Sequence, residues 1–162
     1  MNGKRSLVII ACSLLAITAC TGLQSEHGSG TIAMMPFTSD EHGIRGVTPL
    51  EGWSDQAALV QQSFPGTKDE LVSVIAEQTD LIALPRSIGT YKGSTFTWDL
   101  YTFETQIQDA EPGIYRVDMG LAEGESAIHL VFLITVPAEY AAHPALYETV
   151  FAHALYALTP IE

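Results

Sequence analysis

The stretch from Ile128 to Val136, I-H-L-V-F-L-I-T-V, is apolar at nearly every position, and a strand of that kind is covered on both faces. It belongs at the centre of a sheet rather than at its edge. The run before it places Tyr115, Val117, Met119 and Leu121 in alternation with Arg116 and Asp118, the period of a strand with one buried face. Ala122-Glu123-Gly124-Glu125-Ser126 between the runs supplies turn residues, so the two form a hairpin.

Residues 94–104 read S-T-F-T-W-D-L-Y-T-F-E, dense in threonine and aromatics. Alternation puts Phe96, Trp98 and Leu100 on one face and Tyr101 and Phe103 on the other, so both faces of this strand are expected to be covered. Shorter apolar stretches from Thr31 to Phe37 and from Gly43 to Val47 predict two strands joined by a turn at Ser39 to His42, and a third strand runs from Ala57 to Gln62. Pro65-Gly66 ends it. Thr67 then stands three residues before Glu70, ahead of Leu71, Val74 and Ile75, which is a capping box opening an amphipathic helix that ends near Thr79 or Asp80. Pro144 opens a final helix whose Tyr147, Val150, Phe151, Ala154 and Leu158 share one face, and Pro160 stops it. Three strands, a helix, three strands and a helix lack the regular strand-helix alternation of a parallel sheet. The order predicts an α+β domain built on an antiparallel sheet flanked by helices. A chain of 162 residues with 47% hydrophobic content accommodates one such domain, spanning 31–162.

Residues 1–19 carry the three parts of an export signal: Lys4 and Arg5, a mostly apolar run from Leu7 to Ile17, and small residues at the cut. The run is too short to span a bilayer comfortably. It ends in Ile17-Thr18-Ala19-Cys20, which resembles the bacterial lipobox. The resemblance implies a diacylglyceryl group on the Cys20 thiol, with acyl chains such as palmitate, and cleavage just before it. Two acyl chains give a stable membrane attachment where one gives a marginal one. Cys12 leaves with the signal, so the mature domain is expected to hold no thiol and no disulfide. Residues 20–30 are small and polar with three glycines, the composition of a flexible tether. Thr21 stands where an aspartate marks inner-membrane retention in such lipoproteins. The expected location is thus the cell envelope, on the extracytoplasmic face of a membrane, and the outer membrane if the organism has one.

Removal of the signal leaves five basic residues against nineteen acidic ones, a formal charge of −14. So acidic a balance argues against nucleic acid or anionic lipid headgroups as partners, since phosphate contacts need clustered Lys and Arg.

The stretch from Gly43 to Pro160 resembles a PsbP-like domain, an α-β-α sandwich. The points of contact are Gly43-Ile44-Arg45-Gly46-Val47 leading to Pro49-Leu50-Glu51-Gly52-Trp53, the aromatic strand around Trp98, the late hairpin, and a closing helix ending in Ala157-Leu158-Thr159-Pro160. Members of that group are mostly binding or assembly modules, some of them lipoproteins and some partners in photosynthetic or nuclear-transport complexes. Segments similar to Trp98 to Glu104 also precede hydrolase domains in some bacterial proteins, and no such domain is expected after Glu162. The resemblance implies an accessory role and transfers no functional residues.

Candidate chemistry is sparse. Glu139 and His143 have metal-ligand spacing with His153 ten residues on, but Pro144 disfavours helical geometry at His143, and ten helical residues span about 15 Å. His129 reads as a hydrogen-bonded or edge histidine. A nucleophile elbow and a phosphate loop are both missing, and Ser87 and Ser94 have ordinary turn surroundings. Asp69 and Glu70 suit the positive end of the helix they begin, and Asp99 with Glu104 is one of many carboxylate pairs in an acidic chain. Neither a metal nor a cofactor is expected. Trp53 and Tyr91 lie near glycines and prolines on expected loops and, with Trp98, are the candidate contacts for a partner or ligand. The leading expectation is a membrane-anchored, non-catalytic binding or accessory module acting on another envelope protein. The alternatives are a small extracytoplasmic enzyme or ligand carrier with a cleft near Trp98 and Asp99, or a structural envelope protein.

Overall fold

The structure, a computed structural model, describes residues 32–50, 53–78, 80–82, 84–106 and 113–161. The expected signal peptide 1–19, Cys20, the tether 20–30 and Thr31 lie outside the described residues. In chain order the elements are β1 Met34–Ser39, β2 Ile44–Pro49, β3 Ala57–Phe64, α1 Lys68–Gln78, β4 Asp80–Leu81, β5 Arg86–Lys92, β6 Thr97–Gln106, β7 Tyr115–Glu123, β8 Ile128–Thr135, α2 Pro137–Ala142, α3 Pro144–Ala157 and β9 Thr159–Pro160.

The apolar run of β8 lies between β3 and β7 in a six-stranded sheet of order β3-β8-β7-β6-β4, with β5 also pairing β6. Its pairs Ala57↔Thr135 and Arg116↔Thr135 run on without a break to Phe64↔Ile128 and Glu123↔Ile128. All of β8 is buried. Every pairing is antiparallel, so the α+β class with an antiparallel sheet and flanking helices is what the chain adopts.

Each face of the sheet has its own core. Leu71 and Ile75 of α1 pack on Phe103, Met119, Leu130 and Phe132. On the other face Tyr147, Phe151 and Leu155 of α3, with Ile44 of β2, pack on Trp98, Val131 and Leu133. The expected division of β6 holds, with Trp98 and Leu100 on the α3 side and Tyr101 and Phe103 on the α1 side. Helix α1 opens as its capping box predicts: the Thr67 N–H donates to Glu70 Oε2 at 3.0 Å and the Glu70 N–H to Thr67 Oγ1 at 3.4 Å. Helix α3 lies so close to the sheet that a Cβ on Gly120 would stand 2.3 Å from Leu155 Cδ2, and one on Gly93 would stand 2.6 Å from the Leu155 carbonyl oxygen.

Three expectations need correction. The first strands do not join one sheet: β1 and β2 pair with β9 in a separate three-stranded sheet, and only β3 enters the main one. Ser87, read as turn composition, and Tyr91, expected on a loop, both lie on a strand, β5. This strand is exposed along nearly its whole length, so it has no buried face to impose an alternation. The final helix ends at Ala157, so Leu158, expected on its apolar face, is extended instead, and Pro160 just beyond pairs with Ile44 in β9.

Candidate functional site

The three aromatic residues singled out in the sequence occupy three different environments. Trp98 is wholly buried, and its Nε1–H donates to the Leu155 carbonyl at 2.9 Å. It is a core residue and has no surface to offer a partner, which corrects the expectation of a contact there. Its ring is already used by Phe96, edge-on at 5.7 Å. Tyr91 sits on β5 rather than in a loop, half-buried and paired in register with Trp98. Trp53 is half-buried in the segment between β2 and β3, held by its backbone N–H to the Leu50 carbonyl at 3.1 Å.

Trp53 belongs to a larger aromatic group at the start of α3. Its ring meets Tyr147 edge-on at 5.9 Å, and Tyr147 stacks on Tyr140 of α2 at 6.1 Å and 17°. The Arg116 guanidinium lies 3.9 Å from the centre of the Tyr140 ring, a cation–π contact. Arg116 also donates from Nε and Nη2 to the two oxygens of Asp118 at 2.9 and 2.8 Å, a bidentate pair that fixes the guanidinium plane. Beneath the stack, the buried Tyr147 hydroxyl donates to Glu139 Oε1 at 2.9 Å and lies 3.4 Å from Ser54 Oγ. Burial pushes that hydroxyl up to about 12. Tyr140 in turn donates to Glu148 Oε1 at 3.3 Å. The neighbouring Thr135, opposite Arg116 on β8, keeps its buried Oγ1 without a hydrogen-bond partner among the described residues.

Arg116, Asp118, Tyr140 and Tyr147 were not foreseen as a group. Arg116 and Asp118 read as the wet side of a strand, whereas Asp118 is buried. Their two-residue spacing, which sets opposite charges on one face of a strand, was the available signal.

The other candidates are dispersed. His143 sits in the break between α2 and α3 with φ −134°, its Nε2 3.9 Å from Glu139 Oε1, and His153 lies exposed on α3. No group of three His, Cys, Asp or Glu side chains placed to hold a metal occurs among the described residues. Asp99 and Glu104 point to opposite sides of β6, with Asp99 opposite Leu121 and Glu104 opposite Arg116. Asp99 pairs with the Lys68 ammonium, which raises the Lys68 pKa mainly through that hydrogen bond. Trp98 faces the other side, so the two residues line no common cleft. Ser87 lies exposed on β5, and Ser94 Oγ donates to the Tyr156 carbonyl at 2.5 Å. His129 is buried between Phe96, at 4.3 Å, and Ser63, whose Oγ shares a 2.5 Å hydrogen bond with Nδ1. Its Nε2 is walled in by Gly124, where an added Cβ would come within 2.6 Å.

No protein-family model matches the chain, and no curated protein matches it. Among solved structures, the cyanobacterial PsbP protein (CyanoP) of Synechocystis is similar in arrangement over 85% of this chain and 98% of that one, at 11% identity and a TM-score of 0.47. A protein of unknown function from Pseudomonas aeruginosa is similar over 76% of this chain and 95% of that one, at 14% identity and a TM-score of 0.40.

Proposed function

We propose that this domain is a non-catalytic binding or accessory module, tethered by lipid on Cys20 to the extracytoplasmic face of a membrane, and that it engages another envelope protein through the surface around Trp53, Tyr140 and Arg116. The observation that carries the reading is the Arg116–Tyr140–Tyr147–Trp53 stack. Large aromatics and arginine are the residue types that dominate protein contacts. Here they are held from below by Asp118 and Glu139, so little side-chain freedom remains to be lost on binding. The lipobox at Ile17-Thr18-Ala19-Cys20 supports the tether. No helix among the described residues is long and apolar enough to cross a membrane. The resemblance of residues 43–160 to a group of binding and assembly modules points the same way.

The test is capture of partners from native membranes by the wild-type chain and by Trp53→Ala. The expected result is one reproducible partner whose recovery falls about tenfold or more in the variant, as for a central interface residue, with the melting curve retained. Undiminished capture by the variant, or turnover by the purified domain on a hydrolase substrate panel, would contradict the proposal.

A further inference from the structure

Strand β5 is the outermost strand of the main sheet beside residues 97–102 of β6, and among the described residues nothing pairs with its other side. Such an edge presents unpaired backbone N–H and C=O groups in a row, a template for one more strand. All of β5 except Tyr91 is exposed. Apolar side chains lie along it, Ile88 at 46% exposure and Leu84 just before it at 72%.

The charge on this edge is opposite to that of the rest of the chain. From Leu81 to Trp98 the sequence contains no aspartate or glutamate. Of the five basic residues that follow Cys20, Lys68 pairs with Asp99, Arg116 with Asp118, and Arg45 donates to Thr159. The remaining two, Arg86 and Lys92, stand exposed at the two ends of β5, with no carboxylate partner among the described residues. Charges on an edge ordinarily keep other strands away, and two like charges do so for any strand that itself carries positive charge. An acidic strand meets the opposite condition.

We infer that β5 is a docking edge for an extended acidic segment of another protein, added as a further strand with one carboxylate at Arg86 and one at Lys92. The register specifies the segment more closely. Arg86 pairs with Thr102 and Lys92 with Thr97, because a bulge between Ser87 and Gly89 absorbs one residue. The two basic residues therefore point to opposite faces of the sheet, and a regular strand answering both carries its acids five positions apart. The inference rests on the reading of the domain as a binding module, but not on the anchor or on the Trp53 surface.

The test uses the full chain in detergent and a labelled peptide, Gly-Asp-Thr-Val-Thr-Val-Asp-Gly, beside a counterpart with lysine in place of each aspartate. The acidic peptide is expected to bind by fluorescence anisotropy and to slow amide exchange at Arg86–Lys92, with the lysine peptide about tenfold weaker or more. In the double variant R86E/K92E the preference reverses, a gain that a misfolded protein does not show. Equal affinity for the two peptides, absence of binding by the acidic one at any soluble concentration, or binding that leaves β5 exchange unchanged overturns the inference. If the peptides fail while a native partner is still captured through Trp53, the edge is not a docking site and the binding-module reading stands.

Discussion

Trp98 donates its indole N–H to the carbonyl oxygen of Leu155 at 2.9 Å, tying the start of β6 to the last turn of α3. Helix ends leave carbonyls without partners in their own helix, and here a buried side chain from the sheet supplies one. Trp98→Phe keeps an aromatic ring but removes the donor and part of the volume. A loss of about 2–3 kcal/mol is expected from the buried unpaired carbonyl and the cavity together, read as a lower urea midpoint at an unchanged slope. An unchanged midpoint would show that the bond contributes nothing net.

Gly93 approaches the same carbonyl. A Cβ there would stand 2.6 Å from the Leu155 oxygen and 3.0 Å from Trp98 Nε1. The obstacle is backbone, so it yields only if α3 moves. Gly93→Ala is expected to cost about 1–3 kcal/mol, in the range of an overpacked core. Thermal denaturation measures it, and a melting point equal to wild type would mean that α3 shifts freely on the sheet.

The capping box of α1 makes a separate, local prediction. Thr67→Ala removes one acceptor from the first turn and is expected to cost about 1 kcal/mol. The Thr67 backbone N–H, followed by its hydroxyl, lowers the Glu70 pKa below the ordinary carboxylate value. The interaction therefore stabilises the fold at neutral pH and is lost as pH falls through that lowered value. Carbon-detected titration of the Glu70 carboxyl should show a depressed midpoint that moves upward in the variant. An ordinary midpoint in the wild type would contradict the cap.

Burial lowers the pKa of His129 below its ordinary 6.5. Between the lowered value and 6.5 the unfolded chain binds a proton that the folded chain does not, so this residue makes stability fall as pH drops through that window. Below the folded-state value its penalty is complete and constant. Imidazole resonances followed by NMR should titrate with a midpoint under 6.5, and His129→Gln should flatten the pH dependence of the melting point in that window. A midpoint at or above 6.5 would mean that the ring is not desolvated.

The parts of this fold legible in the sequence are those with a buried face to impose a period. The run Ile128 to Val136 announced a central strand, and the alternation of Phe96, Trp98 and Leu100 against Tyr101 and Phe103 assigned the two sides of β6. That same alternation placed Trp98 in the core, where its size had suggested a contact. Strand β5 left no trace because only Tyr91 along it is partly covered and Gly89 interrupts it. The pairing of β1 and β2 with β9 was equally hidden, since apolar stretches announce strands but not their neighbours. Of the site, Trp53 was visible as a large aromatic beside turn residues. Arg116 and Tyr140 were not, because their stack joins β7 to a helix that follows another whole strand, and nothing local to either residue records the meeting.

The central claim is a tethered module that works through a protein contact, and mass spectrometry of the chain cross-linked in its native membrane tests both halves together. The predicted result is a diacylglyceryl mass on an N-terminal Cys20, and one reproducible envelope protein cross-linked near Trp53 or β5. An unmodified Cys20 with no cross-linked partner would contradict the claim.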